Sequence, residues 1–275
     1  MAGPLRHSVP RPRRPKLGQH FLADPAYRRR ILQSLAIQSD DLVIEIGAGT
    51  GAMTKLLAER AARVVAIELD ASLVEKLKDK FRGEPRVEVL EADILSSDIA
   101  AICRSHGAEK CFVFGNLPYY ITSPILHHLF EFRSSIRAIA VLVQREVAGR
   151  LTAAPGSREY GYLSVLVQLH SQPRALFTVP PGAFAPPPKV QSRLVEFSIT
   201  PKFPKWEIAE DEKFLDFAKR CFAQKRKNLL NNLSRTYSRR RLEQVLTGLG
   251  VSTTVRAEQL KIQQLASILE AMTDG

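Results

Sequence analysis

The segment LVIEIGAGTG (42–51) decides the fold of this chain. Its first part, LVIEI, is a short apolar run rich in β-branched residues, a pattern that predicts a buried strand. Three glycines then alternate through GAGTG, and a helical pattern follows at 53–60. A strand, a glycine-rich turn and a helix in this order predict an α/β fold built on a parallel sheet.

The alternation continues on both sides of this segment. Four further strands are predicted at 63–68, 87–93, 111–116 and 138–144. Helices are predicted between them at 72–81 and 124–132, and before them at 25–35, where Asp24 is the N-cap and Pro25 the first helical residue. This pattern predicts a mostly parallel sheet covered by helices on both faces.

The character of the sequence changes near residue 200, which predicts three parts. Residues 1–16 are expected to be a flexible basic tail, 17–200 the α/β domain, and 201–275 a small helical domain. The segment PKFPKW (201–206) is the predicted linker. Only helical periodicity follows it, in stretches at 212–223, 227–233, 239–249 and 258–272.

The charge of the chain favours a polyanionic partner. Forty Lys and Arg stand against 28 Asp and Glu, which gives a formal net charge of +12. Nucleic acid and an anionic membrane surface both fit such an excess. No apolar run reaches the ~20 residues that span a bilayer, and the three cysteines form no C-x-x-C pair. We therefore expect a cytoplasmic protein with reduced thiols, no membrane segment and no metal.

The glycine-rich turn indicates a bound cofactor that contains adenosine. Glycine lacks the Cβ that would keep a ligand from the backbone, and Gly47, Gly49 and Ala52 also fit the pattern of dinucleotide enzymes. Glu68 ends the next predicted strand, where a carboxylate can accept both hydroxyls of a ribose. NAD and S-adenosylmethionine both carry such a ribose, so the turn leaves the two open.

Functional residues are expected where four successive strands end, at Gly47, Glu68, Asp93 and Asn116. The carboxyl ends of parallel strands meet at one edge of a sheet, where ligands bind. Asp93 can accept a hydrogen bond from an adenine amine. Its alternative role is that of a helix N-cap.

The tetrapeptide Asn116-Leu117-Pro118-Tyr119 separates the two cofactors. An exocyclic adenine amine is a poor nucleophile because its lone pair is delocalised into the ring. The Asn116 side-chain carbonyl and the Leu117 backbone carbonyl can accept its two N–H bonds, and Pro118 holds Leu117 extended. Tyr119 offers an aromatic face to the base. A hydride-transfer enzyme has no use for this arrangement, which predicts methyl transfer to an adenine amine.

With these motifs, the chain resembles the ribosomal RNA adenine N6,N6-dimethyltransferases, specifically the small-subunit branch. The resemblance rests on KLGQHFL (16–22), VIEIGAGTG, NLPY, VQREVAGRL (143–151), YGYLSVLVQ (160–168), FAPPPKVQS (184–192) and FAQKRKNLLNNL (222–233). It implies a Rossmann-like class I methyltransferase domain with a seven-stranded sheet and a small helical domain. It further implies that His20 and Leu22 touch the cofactor and that Phe184 and Tyr119 sandwich the target base.

The resemblance also implies the substrate, which is two adjacent adenosines in the 3′-terminal hairpin loop of 16S rRNA in assembling 30S subunits. The basic tail and basic residues of the helical domain are expected to hold RNA phosphates: Arg226, Lys227, Arg239, Arg240 and Arg241. The alternative for the 239–241 run is a solvated helix face. A monomer is expected.

Three other functions fit parts of the sequence. A large-subunit (23S) rRNA adenine methyltransferase of the resistance type shares the fold and the catalytic motifs. A non-catalytic RNA-binding assembly factor fits the charge, but it does not need Glu68, Asp93 and Asn116. A nicotinamide-dependent oxidoreductase fits the glycine turn but leaves the NLPY motif unexplained.

Overall fold

The structure, a computed structural model of the chain, describes residues 20–118 and 121–273. Its strands are β1 (Phe21–Leu22), β2 (Leu42–Ile46), β3 (Arg63–Glu68), β4 (Val87–Glu91), β5 (Cys111–Asn116), β6 (Ile136–Gln144), β7 (Ser171–Val179), β8 (Phe184–Ala185) and β9 (Ser192–Ile199). Seven of them form one sheet in the order β4-β3-β2-β5-β6-β9-β7. The first five run parallel, and β9 is antiparallel to both of its neighbours. β1 and β8 pair separately as a short antiparallel ribbon.

The helices alternate with these strands and then continue without them. They are α1 (Pro25–Ser34), α2 (Ala52–Ala58), α3 (Ala71–Lys80), α4 (Ile99–Ser105), α5 (Thr122–Glu131), α6 (Arg145–Leu151), α7 (Tyr162–His170), α8 (Ile208–Cys221), α9 (Leu229–Leu233), α10 (Arg239–Gly248) and α11 (Ile262–Thr273). Asp24 caps α1 as predicted, accepting from Ala26 N at 2.7 Å. The predicted mostly parallel seven-stranded α/β sheet is confirmed.

Alternating side chains of the strands fill two hydrophobic layers, one on each face of the sheet. On one face, Val43 of β2 packs with Ile31 of α1 and Leu57 of α2. On the other face, Ile44 packs in the layer that contains Ile125 of α5. The central strands are buried on both faces, which explains why β2 is apolar apart from Glu45.

Only helices follow residue 200 in the described part of the chain. The segment 201–206 is irregular, as predicted, but it is packed against the sheet domain. Lys202 N donates to Leu169 O at 2.7 Å, and the rings of Phe203 and Trp206 stack 4.1 Å apart. The apolar side chains of α8 to α11 belong to the same layer as those of α5 and α7. The domain boundary at 200/201 stays a prediction, and the predicted 1–16 tail lies outside the described residues.

Two further observations bear on the sequence predictions. Among the described residues, none of the helices is both long and apolar enough to cross a membrane. The three cysteines are buried and free.

Candidate functional site

A cavity lies at the carboxyl edge of the sheet and brings together residues predicted from four different strand ends. Gly47, Glu68, Asp93 and Asn116 all line it. Most of the rest of its wall is apolar and comes from Phe21, Ile46, Ile67, Leu69, Ala92, Ile94, Leu117, Pro118, Ile121 and Ile125. Polar groups at the strand ends therefore face a largely apolar slot, as a bound nucleoside requires.

Glu68 is held rigidly at the end of β3 by backbone amides. Its Oε1 accepts from Leu69 N at 2.8 Å and from Asp70 N at 3.0 Å, and its Oε2 accepts from Gly49 N at 2.9 Å. A carboxylate offers roughly four acceptor sites. Three are occupied by backbone N–H groups, which leaves one acceptor site, on Oε2, toward the cavity. The predicted contact of Glu68 with the two ribose hydroxyls stays a prediction.

Asp93 is an N-cap, one of the two roles that the sequence left open, and it also lines the cavity. Its Oδ1 accepts from Leu95 N at 3.0 Å and caps the 3₁₀-helix Ile94–Ser96. The residue is exposed and lines the cavity. The cap fixes the orientation of a carboxylate that faces the ligand space.

The glycines of the turn differ in what occupies the space of their missing side chains. A Cβ on Gly47 would have Asn116 O, 3.9 Å away, as its nearest neighbour, so the space beside Gly47 is open. A Cβ on Gly49 would lie 2.8 Å from the ring of Phe21. Both glycines have a positive φ, 71° at Gly47 and 57° at Gly49, which favours glycine at either position. Phe21 in addition excludes a side chain at Gly49, whereas the space beside Gly47 is left for a ligand.

Asn116 is oriented by the amino-terminal segment. Its side-chain amide donates to His20 O at 2.9 Å, although the two residues are 96 positions apart in the chain. His20 Nδ1 is in turn 2.7 Å from Pro186 O, which ties this segment to the 184–188 loop. Because the nitrogen of the amide points at His20, the oxygen is the end of Asn116 that can accept from an amine.

The rest of the tetrapeptide continues from β5 along the cavity wall. Leu117 is buried, and its backbone N–H donates to Leu142 O of β6 at 3.2 Å. Pro118 lines the cavity, and its carbonyl accepts from Ile121 N at 3.2 Å. Tyr119, predicted to stack on the base, lies outside the described residues.

Two predicted contact residues point away from the cavity. The side chain of Leu22 is buried in the hydrophobic layer below β1, and its neighbour Phe21 lines the cavity instead. Phe184 pairs with Leu22 across the β1–β8 ribbon and is only 4% exposed. Neither side chain lines the cavity in this structure. That Leu22 touches the cofactor and that Phe184 packs on the target base stay predictions.

Several residues that line the cavity were not identified from the sequence, although the sequence indicates some of them. Leu69 and Ile94 each directly follow a predicted acidic ligand, Glu68 or Asp93, and both line the cavity. Apolar residues beside strand-end acids indicate the walls of such a slot. Phe21 lies between the two positions that the family resemblance singled out, and nothing local distinguishes it.

A second carboxyl group lies buried beneath the turn. Glu45 of β2 accepts a hydrogen bond from Thr54 Oγ1 of α2 at 2.5 Å. Burial, opposed by this hydrogen bond and reinforced by the charge of Glu68, raises the pKa of Glu45 to about 8. Glu45 is therefore mostly protonated at neutral pH, and its bond to Thr54 joins the two elements that flank the turn.

The predicted RNA-binding residues are exposed but differ in their contacts. Arg239 pairs with Glu243 at 3.1 Å, and Arg241 donates to Ala271 O near the end of α11 at 2.9 Å. The side chain of Arg240 makes no hydrogen bond or ion pair within the described part of the chain, where Arg240 is an exposed residue of α10. The other two, Arg226 and Lys227, are exposed in the segment before α9. The predicted run at 239–241 thus contains two arginines with structural contacts.

Among the described residues, no group of three or more His, Cys, Asp or Glu side chains is arranged to hold a metal ion.

Comparison with known proteins identifies close relatives over nearly the whole chain. The sequence model of the ribosomal RNA adenine dimethylases matches residues 11–274. The ribosomal RNA small subunit methyltransferase A of Acidobacterium capsulatum is 44% identical over 262 residues, covering 95% of this chain and 92% of that protein. The protein of the same name from Syntrophus aciditrophicus is 38% identical and covers 94% of this chain and 93% of its own.

Solved structures share the fold. A dimethyladenosine transferase from Plasmodium falciparum has a TM-score of 0.77 at 24% identity, covering 93% of this chain and 98% of its own. The 23S rRNA methyltransferase ErmE has a TM-score of 0.68 at 28% identity, covering 92% of this chain and 99% of its own.

Proposed function

The chain belongs to the ribosomal RNA adenine dimethylase family, and from this premise we propose that it methylates the N6 amines of two adjacent adenosines in the 3′-terminal hairpin loop of 16S rRNA. S-adenosylmethionine is the methyl donor. The observation that carries the proposal is the placement of Asn116 in the same cavity as Glu68 and Asp93. Asn116 can accept from the amine of a target base, and Glu68 and Asp93 beside it can accept from the nucleoside part of the cofactor.

The cavity residues fit S-adenosylmethionine. Glu68 would hold a ribose hydroxyl on Oε2, and Asp93 would accept from the adenine amine of the cofactor. The open space beside Gly47 leaves room for a ligand against the backbone, and the isoleucines at 46, 67 and 94 provide apolar faces for a ring. When bound, the cofactor supplies a methyl group on a positively charged sulfur.

The chain's part in the reaction is to present the target amine. The Asn116 side-chain carbonyl and the Leu117 backbone carbonyl would accept the two N–H bonds and draw the nitrogen toward a tetrahedral geometry. Such positioning and electrostatic stabilisation suffice without a strong base, because the amine loses its proton to water after the methyl group has been transferred. The target adenosine must be flipped out or unpaired to reach the sheet edge.

The substrate is proposed to be the assembling 30S subunit, bound by a monomer. The formal charge of +12 and the exposed Arg226, Lys227 and Arg240 support binding to an RNA backbone. Such contacts position the protein without reading sequence, so the choice of adenosine depends on the shape of the hairpin and on the cavity.

The decisive experiment measures methyl transfer from labelled S-adenosylmethionine to small and large ribosomal subunits that lack the modification. We expect N6,N6-dimethyladenosine from small subunits. Asn116→Ala should lower kcat by ~10²–10³-fold, as removal of one group that stabilises the transition state does elsewhere. Thermal unfolding of Asn116→Ala, expected to match the wild type, shows that the fold is intact.

Two results would contradict the proposal in different ways. Label in large-subunit RNA would identify the resistance-type activity. Absence of label in either subunit, together with tight RNA binding, would indicate a non-catalytic assembly factor.

A further inference from the structure

The glycine-rich turn is held from behind by a lysine that no sequence motif singles out. Lys80, the last residue of α3, directs its ammonium group at two carbonyls of the turn. Its Nζ donates to Thr50 O at 2.7 Å and to Gly51 O at 3.0 Å. Lys80 does not line the cavity, so it contacts the turn on the side away from the ligand space.

The rest of α3's last turn contacts the same stretch of backbone. A Cβ on Gly51 would lie 2.7 Å from both Leu77 and Phe81. Gly51 is also the N-cap of α2, where it offers no side-chain hydrogen bond. The bonds from Lys80 fix two peptide carbonyls at the start of α2.

The cavity side of the turn depends on this backbone. Gly49 N donates to Glu68 Oε2, the oxygen that has room for a ribose hydroxyl. Thr50 separates Gly49 from the peptide groups that Lys80 holds. Gly51 N donates to Ala48 O at 2.9 Å, and this carbonyl belongs to the same peptide group as the Gly49 N–H. We therefore expect a shift at Thr50 and Gly51 to move the Gly49 N–H that contacts Glu68.

Two other positively charged side chains lie near the ammonium group of Lys80 and disfavour its charged form. Partial burial and the nearby charges of Lys55 and Arg28 lower the pKa of Lys80, while Glu45 opposes this shift. A neutral side chain at this position relieves the repulsion from Lys55 and Arg28. Replacing Lys80 with a neutral residue removes this repulsion together with two hydrogen bonds, so its effects on stability oppose each other.

We propose that Lys80 is a positioning residue for the cofactor. It fixes the peptide groups of Thr50 and Gly51, and these in turn keep Gly49 and Glu68 in the positions that bind the ligand. This role rests on the proposed function, since it assumes that S-adenosylmethionine binds against the turn.

The test compares Lys80→Met with Lys80→Arg and with the matched control Lys78→Met, an exposed lysine of the same helix. Calorimetric titration with S-adenosylmethionine should give a Kd about tenfold higher for Lys80→Met, the loss expected for one charge-assisted hydrogen bond. Lys80→Arg, which keeps the donors, should bind within about threefold of the wild type, and Lys78→Met should bind as the wild type does.

Two further measurements separate positioning from a purely structural role. The KM for S-adenosylmethionine should rise with the Kd, whereas kcat at saturation should stay within about twofold. The melting temperature of the empty Lys80→Met protein should stay within about 4 °C of that of the wild type, because the lost hydrogen bonds and the relieved repulsion offset each other.

Three outcomes overturn the inference. Unchanged affinity in Lys80→Met would show that the contacts have no effect on the cofactor. An equal loss in Lys78→Met would show a general charge effect. A lower melting temperature with an unchanged Kd would show a structural role alone. A wild-type protein that binds no S-adenosylmethionine would instead contradict the proposed function, and the role of Lys80 with it.

Discussion

Individual residues at this site owe their properties to burial as much as to chemical type. Glu68 and Glu45 are both buried carboxyl groups near the glycine turn. Glu68 accepts three backbone N–H bonds, which stabilise its charge, and it faces the cavity. Glu45 accepts one hydroxyl bond and has a pKa raised to about 8. One carboxyl group therefore faces the cavity, and the other faces the protein interior.

Glu45 makes the stability of the empty protein depend on pH. Because its pKa in the folded state lies above the ordinary value of 4.5, the folded state binds the proton more tightly than the unfolded state does. Its contribution to stability is fully present below about pH 4.5 and is lost as the pH rises toward 8. Glu45→Gln should remove this dependence, because the amide stays neutral and its carbonyl can still accept from Thr54.

Urea unfolding between pH 5 and 9 measures the effect. We expect the free energy of unfolding of the wild type to fall by about 3–5 kcal/mol relative to Glu45→Gln over this range. Thr54→Val, which removes the hydroxyl but keeps the carboxyl, should retain a pH dependence. Parallel curves for the wild type and Glu45→Gln would show that Glu45 does not titrate in this range.

At the scale of elements, a buried ion pair connects the first helix after residue 200 to the sheet domain. Arg133, just after α5, pairs with Asp211 of α8 at 2.7 Å and also donates to Trp206 O at 3.1 Å. His170 lies beside the pair, with its Nδ1 3.9 Å from Asp211. Burial raises the pKa of Asp211 to about 6 although Arg133 opposes the shift. The charge of Asp211 therefore depends on its partner.

Arg133→Met should destabilise the protein by about 2–4 kcal/mol at pH 8, because it leaves a buried carboxylate unpaired. The loss should be smaller at pH 5, where Asp211 takes up a proton and carries no charge. The double variant Arg133→Met/Asp211→Asn should recover part of the stability at pH 8. Chemical denaturation at the two pH values tests this, and an equal loss at both would contradict it.

For the whole molecule, the contribution of the net charge of +12 to RNA binding depends on which basic side chains are exposed and without a partner. Arg239 and Arg241 are engaged with Glu243 and with the end of α11, whereas Arg240 has no such contact within the described residues. An exposed arginine without a competing partner is the best placed of the three to contact a phosphate.

Arg240→Gln should weaken binding to small ribosomal subunits and reduce the slope of log K against log salt by about one. The matched control is Arg63→Gln. Arg63 is exposed at the amino end of β3, and the cavity lies at the opposite, carboxyl edge of the sheet. Binding measured over a series of KCl concentrations tests this. Equal slopes for the wild type and Arg240→Gln would remove Arg240 from the RNA interface.

The sequence by itself determined the five parallel strands of the sheet, several of the helices and the edge at which the site lies. Apolar runs, N-caps and glycines influence the backbone of residues that are close in the chain. The positions of β2, the turn and α1 could therefore be predicted from local patterns. Because the carboxyl ends of parallel strands must meet, the convergence of Gly47, Glu68, Asp93 and Asn116 also followed.

Tertiary packing alone decided which side chains line the cavity. Phe21 rather than Leu22 lines the cavity, because pairing with β8 turns Leu22 and Phe184 into the core. The bond from Asn116 to His20 joins residues 96 apart, and Lys80 reaches Thr50 across 30 positions. Such contacts depend on how distant elements pack together, and no local pattern of residues carries that information.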